Sequence, residues 1–451
     1  MSKVIKIKRG LDIKLVGSAQ KELTELPKSK FYAIKPSDFP GVTPKVITKV
    51  GEEVKAGTPL FYDKYNPEVM FTSPVSGKLS EIVRGERRRI LEFVVETNDK
   101  DEYETFKQAD PKGLSREEIK ENILKSGAWA FIRQRPFAII AKPSETPRDI
   151  FITSFDSAPL AANIDFVVKD DFDAFQTGVD ALVKLTDGKV YLGIKAEELT
   201  TPFKNTKNVE ITEFKGPHPA GNVGIQINKV KPVNKGEVVW TLSAADVIII
   251  GRLFKTGKFD AKRIIALAGS EVKNPQYYQA LLGAPIADFV KDNLKTTDGD
   301  IRIISGNVLT GEKVSEKDYL GFYENVITVI PEGNKPEFMG WAKLGRDKFS
   351  ISRTFFSWLN PNKERVIDTK LHGGERAYIV TGEMEKVFPM DIFPMQLLKA
   401  IHIKDLDLME ELGIYEIAEE DFALCEVINT SKIEIQKNIR EGFEFAIKEL
   451  G

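Results

Sequence analysis

The most constraining feature of this chain is a run of short apolar strands separated by Gly and Pro, from about Phe39 to Glu96. One unit covers residues 46–61 and breaks at Gly51 and Gly57, and a second, similar unit begins at Phe71-Thr72-Ser73-Pro74-Val75-Ser76-Gly77-Lys78. Alternating apolar residues bounded by turn residues are typical of strands. Two such strand–turn–strand units predict a barrel-sandwich hybrid of the biotinyl/lipoyl kind, to which we assign residues 1–105.

A carrier function for this domain depends on one lysine. In biotinyl and lipoyl domains the modified lysine stands at a tight hairpin tip, and Asp63-Lys64 is the candidate here. The Asn66-Pro67 pair lengthens the connection toward Thr72, because both residues favour turns over strands. We therefore expect this domain to have the fold of a carrier domain but no modified lysine on a mobile arm. An acyl- or biotin-carrier protein stays an alternative that depends on Lys64 alone.

Beyond this domain, apolar strands alternate with helical segments. Such alternation predicts a βαβ layer with a partly parallel sheet. Ser115, followed three residues later by Glu118, forms a capping box that begins a helix. We assign residues 112–256 to a Rossmann-like α/β domain, 257–330 to a β-grasp module and 331–451 to a C-terminal domain, largely helical from about 391. Within the third unit we expect strands at 263–268 and 301–304, a loop at 274–278 and a helix at 285–294.

Composition excludes several classes of function. The 65 Lys and Arg against 67 Asp and Glu leave a net charge of −2, which does not favour nucleic acid as a partner. The densest basic spot, residues 84–89, is expected at a solvated hairpin tip. The single cysteine, Cys425, cannot form an internal disulfide, and the three histidines lie far apart in the sequence, so we expect no metal site.

The sequence predicts neither secretion nor membrane insertion. The N-terminal residues alternate in polarity and lack a signal-peptide core. Apolar runs such as Val247 to Ile250 are far shorter than the ~20 residues needed to cross a bilayer. We expect a cytoplasmic chain with no transmembrane segment.

The first candidate site is the turn that follows the capped helix. Nucleotide phosphates need a glycine-rich turn at a helix start, and the chain has neither GxGxxG nor GxxxxGK[ST]. Residues 127–137 instead contain three aromatic residues and two arginines. Trp129 and Phe131 are candidates to flank a flat ring compound, and Arg133 or Arg135 to hydrogen-bond its carbonyl oxygen. Aromatic packing with surface arginines is the alternative interpretation.

The second candidate site is the loop Gly216-Pro217-His218-Pro219-Ala220-Gly221-Asn222-Val223-Gly224. Its prolines and glycines indicate a rigid, shaped loop, and ordered loops often carry function. His218 is a candidate to donate a hydrogen bond to a quinone oxygen or to take a proton near neutral pH. Asn222 is a further candidate to face the quinone or a partner. A purely structural turn is the alternative.

Several of these segments together resemble a known family. The matching motifs are Arg9-Gly10-Leu11-Asp12, the Phe71–Lys78 and Gly216–Gly224 segments quoted above, Arg353-Thr354-Phe355, His372-Gly373-Gly374-Glu375-Arg376-Ala377-Tyr378, and Glu385-Lys386-Val387-Phe388-Pro389-Met390-Asp391. In this order, over nearly the whole chain, they resemble the A-subunit family of the sodium-translocating NADH:quinone oxidoreductases, the respiratory sodium pumps.

This resemblance implies a peripheral protein on the cytoplasmic face of the bacterial inner membrane. Its partners would be the other subunits of the complex, including integral membrane subunits, and quinone would be the substrate. Flavins and an iron–sulfur centre would lie on the partners, and this chain would carry no cofactor or metal. It would contact quinone or organise the complex without transferring electrons itself.

The resemblance extends in fold to the flavin subunit of complex I and to the C subunit of the Rnf complexes. Those relatives carry a Gly-rich flavin loop and cysteine clusters, from which this sequence departs at residues 127–137 and at Cys425. The third unit would correspond to their β-grasp (SLBB-like) module. The alternative function, a self-contained flavin-dependent NADH dehydrogenase, requires the phosphate cradle that these residues do not show.

Overall fold

The computed structural model describes residues 3–98, 100–196, 201–295, 300–334 and 337–450. Within these ranges no helix is both long and apolar enough to cross a membrane. The described 3-10 helices are Pro36–Asp38, Glu86–Arg88, Pro111–Gly113, Ala128–Phe131, Pro202–Asn205, Gly340–Ala342, Phe356–Leu359 and Glu419–Phe422.

The N-terminal unit is built from short antiparallel strands. Before it come β1 (Lys3–Lys6) and β2 (Gln20–Glu25), which pair with sheets of later units. Its own strands are β3 (Phe31–Ile34), β4 (Pro44–Val46), β5 (Glu53–Val54), β6 (Pro59–Asp63), β7 (Met70–Thr72), β8 (Gly77–Arg84) and β9 (Ile90–Thr97). They form two sheets, in the orders β3-β9-β8-β5 and β4-β6-β7. The basic residues 84–89 occupy the hairpin between β8 and β9 and are mostly exposed, as predicted.

Three phenylalanines form the core between these two sheets. The ring of Phe61 stacks on Phe71 with centroids 4.4 Å apart and on Phe93 at 4.6 Å. All three side chains are buried. The two sheets therefore pack on each other through inward-facing aromatic residues, with Phe61 of one sheet stacked on Phe93 of the other.

The second unit is an α/β layer that begins with the predicted capping box. The Ser115 hydroxyl accepts from the Glu118 N–H, and the Glu118 carboxylate accepts from the Ser115 N–H. The elements are α1 (Arg116–Ser126), β10 (Arg133–Arg135), β11 (Ile139–Ile140), β12 (Asp149–Thr153), α2 (Ile164–Val168), α3 (Phe172–Val183), β13 (Val190–Lys195), β14 (Glu210–Lys215), α4 (Val223–Val230), β15 (Val239–Ser243) and α5 (Ala244–Thr256).

The sheet of this unit is partly parallel, as predicted. Its order is β1-β14-β13-β12-β15-β10-β11, with β1 to β15 parallel and the β10–β11 hairpin antiparallel at one edge. Side chains alternate across β12: Phe151 packs in a small cluster with α4, whereas Ile150 and Ile152 belong to the main core. The strand is buried on both faces, which explains its continuous apolar sequence.

The third unit is a six-stranded mixed sheet in the order β19-β18-β20-β16-β17-β2. Its elements are β16 (Lys262–Ala268), β17 (Gln276–Leu281), α6 (Ile286–Val290), β18 (Ile301–Ser305), β19 (Glu312–Val314) and β20 (Val326–Pro331). The expected strands at 263–268 and 301–304 are present. The loop predicted at 274–278 is wrong from Gln276 onward, because Tyr277 and Tyr278 are buried in a strand paired between β16 and β2. The helix is shorter than predicted.

The C-terminal unit becomes helical where the periodicity predicts. Its helices are α7 (Met384–Val387), α8 (Pro394–Ile403), α9 (Leu406–Glu411), α10 (Ala423–Ile428) and α11 (Ile435–Leu450). The Met and Leu residues of α8 lie in the core, and α11 packs against this helix. Before α7, the described part of residues 332–383 contains only 3-10 turns and isolated bridges.

An aromatic cluster joins the first three units, and we call it the junction cluster. Its members are Phe39 and Phe71 of the first unit, Phe131 of the second, and Phe322 and Tyr323 of the third. Phe39 packs on Phe71 at 4.5 Å and on Phe322 at 4.8 Å, while Phe131 stacks on Phe322 at 4.6 Å. The relative positions of the three units are thus determined by shared ring contacts.

Helices α3 and α5 pack unusually closely because glycines lie at their contact. A Cβ on Gly251 would lie 1.7 Å from the Ala174 carbonyl oxygen, and one on Gly178 would lie 2.3 Å from the Val247 carbonyl oxygen. Backbone atoms cannot move aside as a flexible side chain can. We predict that Gly251→Ala lowers the free energy of unfolding by about 1–3 kcal/mol, since overpacking outweighs the better helix propensity of alanine.

Thermal unfolding followed by circular dichroism measures this effect. The matched control is Gly113→Ala, because no atom lies within 4 Å of the added Cβ there. A melting midpoint of Gly251→Ala equal to or above that of the control would contradict the close helix contact.

Candidate functional site

A cavity of about 150 Å³ lies where the second, third and C-terminal units meet. Four of the six residues proposed from the sequence line it: Phe131, Arg133, His218 and Asn222. The wall is completed by Thr153, Phe155, Asp156, Ala158, Ile164, Gly221, Val223, Thr241, Leu242, Ser243, Asp246, Asn307, Leu309, Thr310, Tyr323, Asn325 and Glu420. The tertiary structure therefore joins the two candidate segments, which are about 90 residues apart in the sequence, in one site.

The His218 loop connects β14 to α4 and is held by the N-terminal motif. The Asp12 carboxylate accepts a hydrogen bond from the His218 N–H at 2.9 Å, and the Leu11 N–H donates to the His218 carbonyl oxygen at 2.9 Å. A Cβ on Gly10 would lie 2.1 Å from that carbonyl oxygen, and Gly10 has φ of +143°. Only glycine permits this close approach. The two family motifs therefore form one clamp.

The imidazole of His218 is neutral at physiological pH. Its side chain is buried, and Nδ1 lies 3.0 Å from the Ser157 hydroxyl. Burial lowers the pKa of His218 from 6.5 to about 4, and the nearby Glu420 carboxylate and the Ser157 backbone offset only part of this effect. Within the described residues Nε2 makes no hydrogen bond, so it is available to a ligand in the cavity.

Phe131 and Arg133 enter the cavity from a short 3-10 turn and the strand that follows it. Phe131 is buried and stacks on Phe322 of the junction cluster. The Arg133 guanidinium lies over the Tyr323 ring, 5.1 Å from its centroid, in a cation–π contact. The Tyr323 hydroxyl donates to the Ala130 carbonyl oxygen at 2.7 Å, which holds this ring in place.

Charge pairing leaves Arg133 as a hydrogen-bond donor for a ligand. Asp246 and Glu420 also line the cavity, but their carboxylates accept from Arg263 at 2.9 Å and from Arg135 at 2.8 Å. The Arg133 side chain makes no hydrogen bond or ion pair with any residue in the described ranges. Its guanidinium N–H groups can therefore donate to other acceptors in the cavity.

The last two sequence candidates lie behind the cavity wall. Trp129 is fully buried, its Nε1–H donates to the Ala141 carbonyl oxygen at 2.7 Å, and its ring meets Trp240 edge-on at 5.2 Å. Arg135 is also buried and donates to Glu420. Neither side chain lines the cavity. Trp129 and Arg135 instead support residues that line the cavity.

Asn222 connects the cavity to the C-terminal unit. Its Nδ2 donates to the Glu420 carbonyl oxygen at 3.0 Å. The next residue, Asp421, is buried, and its carboxylate accepts from the Ala418 N–H at 2.9 Å. Burial raises the pKa of Asp421. The C-terminal unit thus closes one side of the cavity through polar contacts.

Sequence reasoning missed Ser157, Tyr323 and Glu420. Each lies more than 60 residues from the loop or the turn that it supports, and none stands in a distinctive motif. A hydrophobic pattern does not reveal such contacts, because they arise only when different units pack together. The Glu419–Phe422 turn begins with acidic residues, which was the one local signal of an interacting acidic group.

The remaining sequence candidates lie elsewhere. Lys64 is exposed in the six-residue connection between β6 and β7, where the Asp63 carboxylate accepts from the Asn66 side chain at 2.8 Å. Cys425 is buried, which raises the pKa of its thiol. In the described ranges no three His, Cys, Asp or Glu side chains converge as metal ligands do.

Comparison with known proteins matches family models to three segments of the chain. Residues 5–98 match the NqrA N-terminal barrel-sandwich hybrid domain, 114–259 the NqrA second alpha/beta domain, and 264–316 the NQRA C-terminal domain. These matches confirm the predicted barrel-sandwich and α/β units.

Full-length relatives identify the family. The A subunit of the Na(+)-translocating NADH-quinone reductase from Neisseria meningitidis serogroup A is 39% identical over 449 residues, which cover 99% of this chain and 100% of the relative. The chain belongs to this A-subunit family. The Yersinia pestis bv. Antiqua relative is 39% identical, covering 97% of this chain and 98% of its own length, and that of Tolumonas auensis is 38% identical with the same coverage.

A solved structure also matches, at a lower level. The NAD+-reducing [NiFe]-hydrogenase in the H2-reduced state covers 75% of this chain and 62% of its own chain, with 13% identity and a TM-score of 0.40. A likeness at this level carries no functional inference.

We predict that His218 does not titrate between about pH 5.5 and 8, whereas an unperturbed histidine titrates within this range. Above about pH 6.5 the ring is neutral in the folded and in the unfolded chain, and its contribution to the free energy of unfolding is fully present. As the pH falls from there toward 4, the unfolded ring takes up a proton while the buried ring does not, so this contribution is lost. Ring nitrogen chemical shifts of histidine-labelled protein measure the titration, and His218→Gln identifies the signal. A His218 midpoint near 6.5 would show that the ring is not desolvated.

Proposed function

We propose that this chain is the A subunit of a sodium-translocating NADH:quinone reductase and that its cavity receives the quinone ring. The complex oxidises NADH, reduces quinone to quinol and exports sodium ions. Family membership supports the first part of the proposal. The second part rests on one observation: Arg133 and His218, each with an unused hydrogen-bonding group, line the same cavity as Phe131.

The chemistry of a quinone matches this set of side chains. A quinone presents a flat ring with two carbonyl oxygens, which only accept hydrogen bonds. Phe131 offers an aromatic surface for the ring. The Arg133 guanidinium and a neutral His218 N–H are donors for the two oxygens. In this assignment Trp129 and Arg135 act from behind, by supporting the turn and the Glu420 wall, and Asn222 fixes that wall.

The chain would bind and orient the quinone without carrying electrons. Reduction to quinol consumes two electrons and two protons, and the electrons come from NADH through flavins and an iron–sulfur centre on partner subunits. At the turn where the resemblance places a flavin loop, Ala128, Trp129, Ala130 and Phe131 are buried side chains. This packing leaves no room for a phosphate cradle and argues against a self-contained dehydrogenase.

We further propose a cellular location for this chain and an evolutionary relationship for two of its units. It would lie on the cytoplasmic face of the bacterial inner membrane, docked to integral membrane subunits of the same complex. We infer that the second unit is a Rossmann-like relative of the complex I flavin subunit, because its parallel strands carry helices on both faces. We also infer a β-grasp (SLBB-like) origin for the third unit.

We predict that Arg133→Gln weakens binding of a short-chain benzoquinone to the purified chain by about tenfold, because a charge-assisted hydrogen bond is lost. Isothermal titration calorimetry measures the affinity. The matched control is Arg89→Gln, which removes an exposed arginine from the hairpin between β8 and β9.

Equal affinities of Arg133→Gln and the wild-type chain would place the quinone elsewhere. Trp129→Ala is not a suitable test of binding. Removing this fully buried ring would cost about 3–5 kcal/mol of stability, so a weaker affinity would not report on ring contact.

We predict that the purified chain shows no flavin absorbance in the blue and does not reduce a dye with NADH. The physical reason is the buried turn that replaces the phosphate cradle. An absorbance spectrum with protein quantitation measures the flavin content. One flavin per chain would contradict the assignment of electron carriers to partner subunits.

A further inference from the structure

We propose that Ser157 is a positioning residue that holds neutral His218 in the tautomer with its hydrogen on Nε2. The geometry of this hydrogen-bond arrangement does not depend on the ligand. Its consequence for binding rests on the proposed quinone site.

Two contacts determine the direction of the serine hydrogen bond. The Ser157 Oγ lies 2.8 Å from the Gly221 N and 3.0 Å from the His218 Nδ1. The Gly221 N–H can only donate, so Oγ accepts from it. The hydroxyl hydrogen has no other acceptor among the described residues. It therefore points to Nδ1, which must be the unprotonated nitrogen of the neutral ring.

The opposite tautomer leaves the Ser157 hydroxyl poorly paired. With hydrogen on Nδ1, the serine oxygen would receive two hydrogen bonds and its own hydrogen would have no partner in the described structure. Nε2 has no protein partner among the described residues in either tautomer, so the serine hydroxyl makes the difference between them. The arrangement with hydrogen on Nε2 is favoured because it pairs that hydroxyl.

The loop keeps Ser157, Gly221 and His218 in fixed positions relative to one another. Gly221 and His218 belong to the same loop, and Asp12 holds its backbone at His218 N. A Cβ on Gly221 would lie 2.6 Å from the Ser157 N. Glycine at this position is therefore required for the serine to approach both the loop backbone and the imidazole.

The tautomer affects which oxidation state of the ligand His218 and Arg133 together favour. With hydrogen on Nε2, His218 and Arg133 are both donors and match the two acceptor oxygens of a quinone. The hydroxyl groups of a quinol carry hydrogens that need acceptors, and these two side chains offer none. Ser157 thus biases the site toward the oxidised ligand without touching the reacting atoms.

The first measurement is ligand-free and uses the full chain. Nitrogen-15 NMR of histidine-labelled protein distinguishes the two tautomers by the shifts of Nδ1 and Nε2, and His218→Gln assigns the signals. We expect the Nε2–H form in the wild type, a larger Nδ1–H population in Ser157→Ala, and retention of the Nε2–H form in Ser157→Thr. The matched control is Ser154→Ala, since the Ser154 hydroxyl donates to the Gly193 carbonyl oxygen instead.

A wild-type spectrum showing the Nδ1–H form would overturn the proposal and would point to the Ser157 backbone, which also interacts with the ring, as the acceptor. An unchanged tautomer in Ser157→Ala would overturn it as well. Where the alanine variant fails to fold, Ser157→Cys replaces it with a side chain of similar size whose S–H is only a weak donor, and the same two outcomes decide the proposal.

The second measurement is calorimetry with a short-chain benzoquinone and its quinol. We expect the ratio of quinone to quinol affinity to fall by about tenfold in Ser157→Ala, as one matched hydrogen bond is lost, and to stay at the wild-type value in Ser154→Ala. A tautomer change with an unaltered ratio would overturn the effect on ligand selection. The expected tautomers without quinone binding by any form would leave the role of Ser157 intact and contradict the proposed function instead.

Discussion

The ring contacts among Phe39, Phe71, Phe131, Phe322 and Tyr323 determine how three units of this protein sit against one another. The rings are supplied by loops, by the 3-10 turn Ala128–Phe131 and by strand β7, and centroid distances of 4.5 to 5.1 Å join them into one cluster. The cavity lies next to this cluster, because Phe131 and Tyr323 belong to the cluster and also line the cavity. Large apolar rings bury more surface than other side chains, so a small cluster suffices to join separate cores.

The N-terminal segment adds a second set of connections. β1 extends the α/β sheet beside β14, and β2 extends the third sheet beside β17. Between them, Gly10 to Asp12 clamps the His218 loop, and Leu15 and Val16 meet Arg365 of the C-terminal unit. The first strands of the chain therefore complete sheets that lie far along the sequence. The site depends on this segment although none of its residues lines the cavity.

Much of the architecture could be predicted where the signal is local. The capping box at Ser115, the strand alternation of residues 46–61 and the helices after residue 391 all depend on neighbours within a few residues. The loop predicted at 274–278 was wrong from Gln276 because Asn274 and Pro275 are strong turn signals, whereas Tyr277 and Tyr278 are drawn into the sheet by β16 and β2. Pairing with distant strands overrides such local signals.

The amino-acid sequence alone identifies the residues that are capable of ligand chemistry: an aromatic and arginine-rich turn, and a rigid loop with one histidine. What each of them does is established only when the units pack together. Trp129 and Phe131 are two residues apart in a helix of three residues per turn, so they point to different sides, one into the core and one into the cavity. Arg133 and Arg135 share a face of β10, yet only Arg135 meets Glu420, because that carboxylate arrives from a unit almost 300 residues away. Charge pairing, burial and tautomer depend on distant neighbours, and local sequence does not contain them.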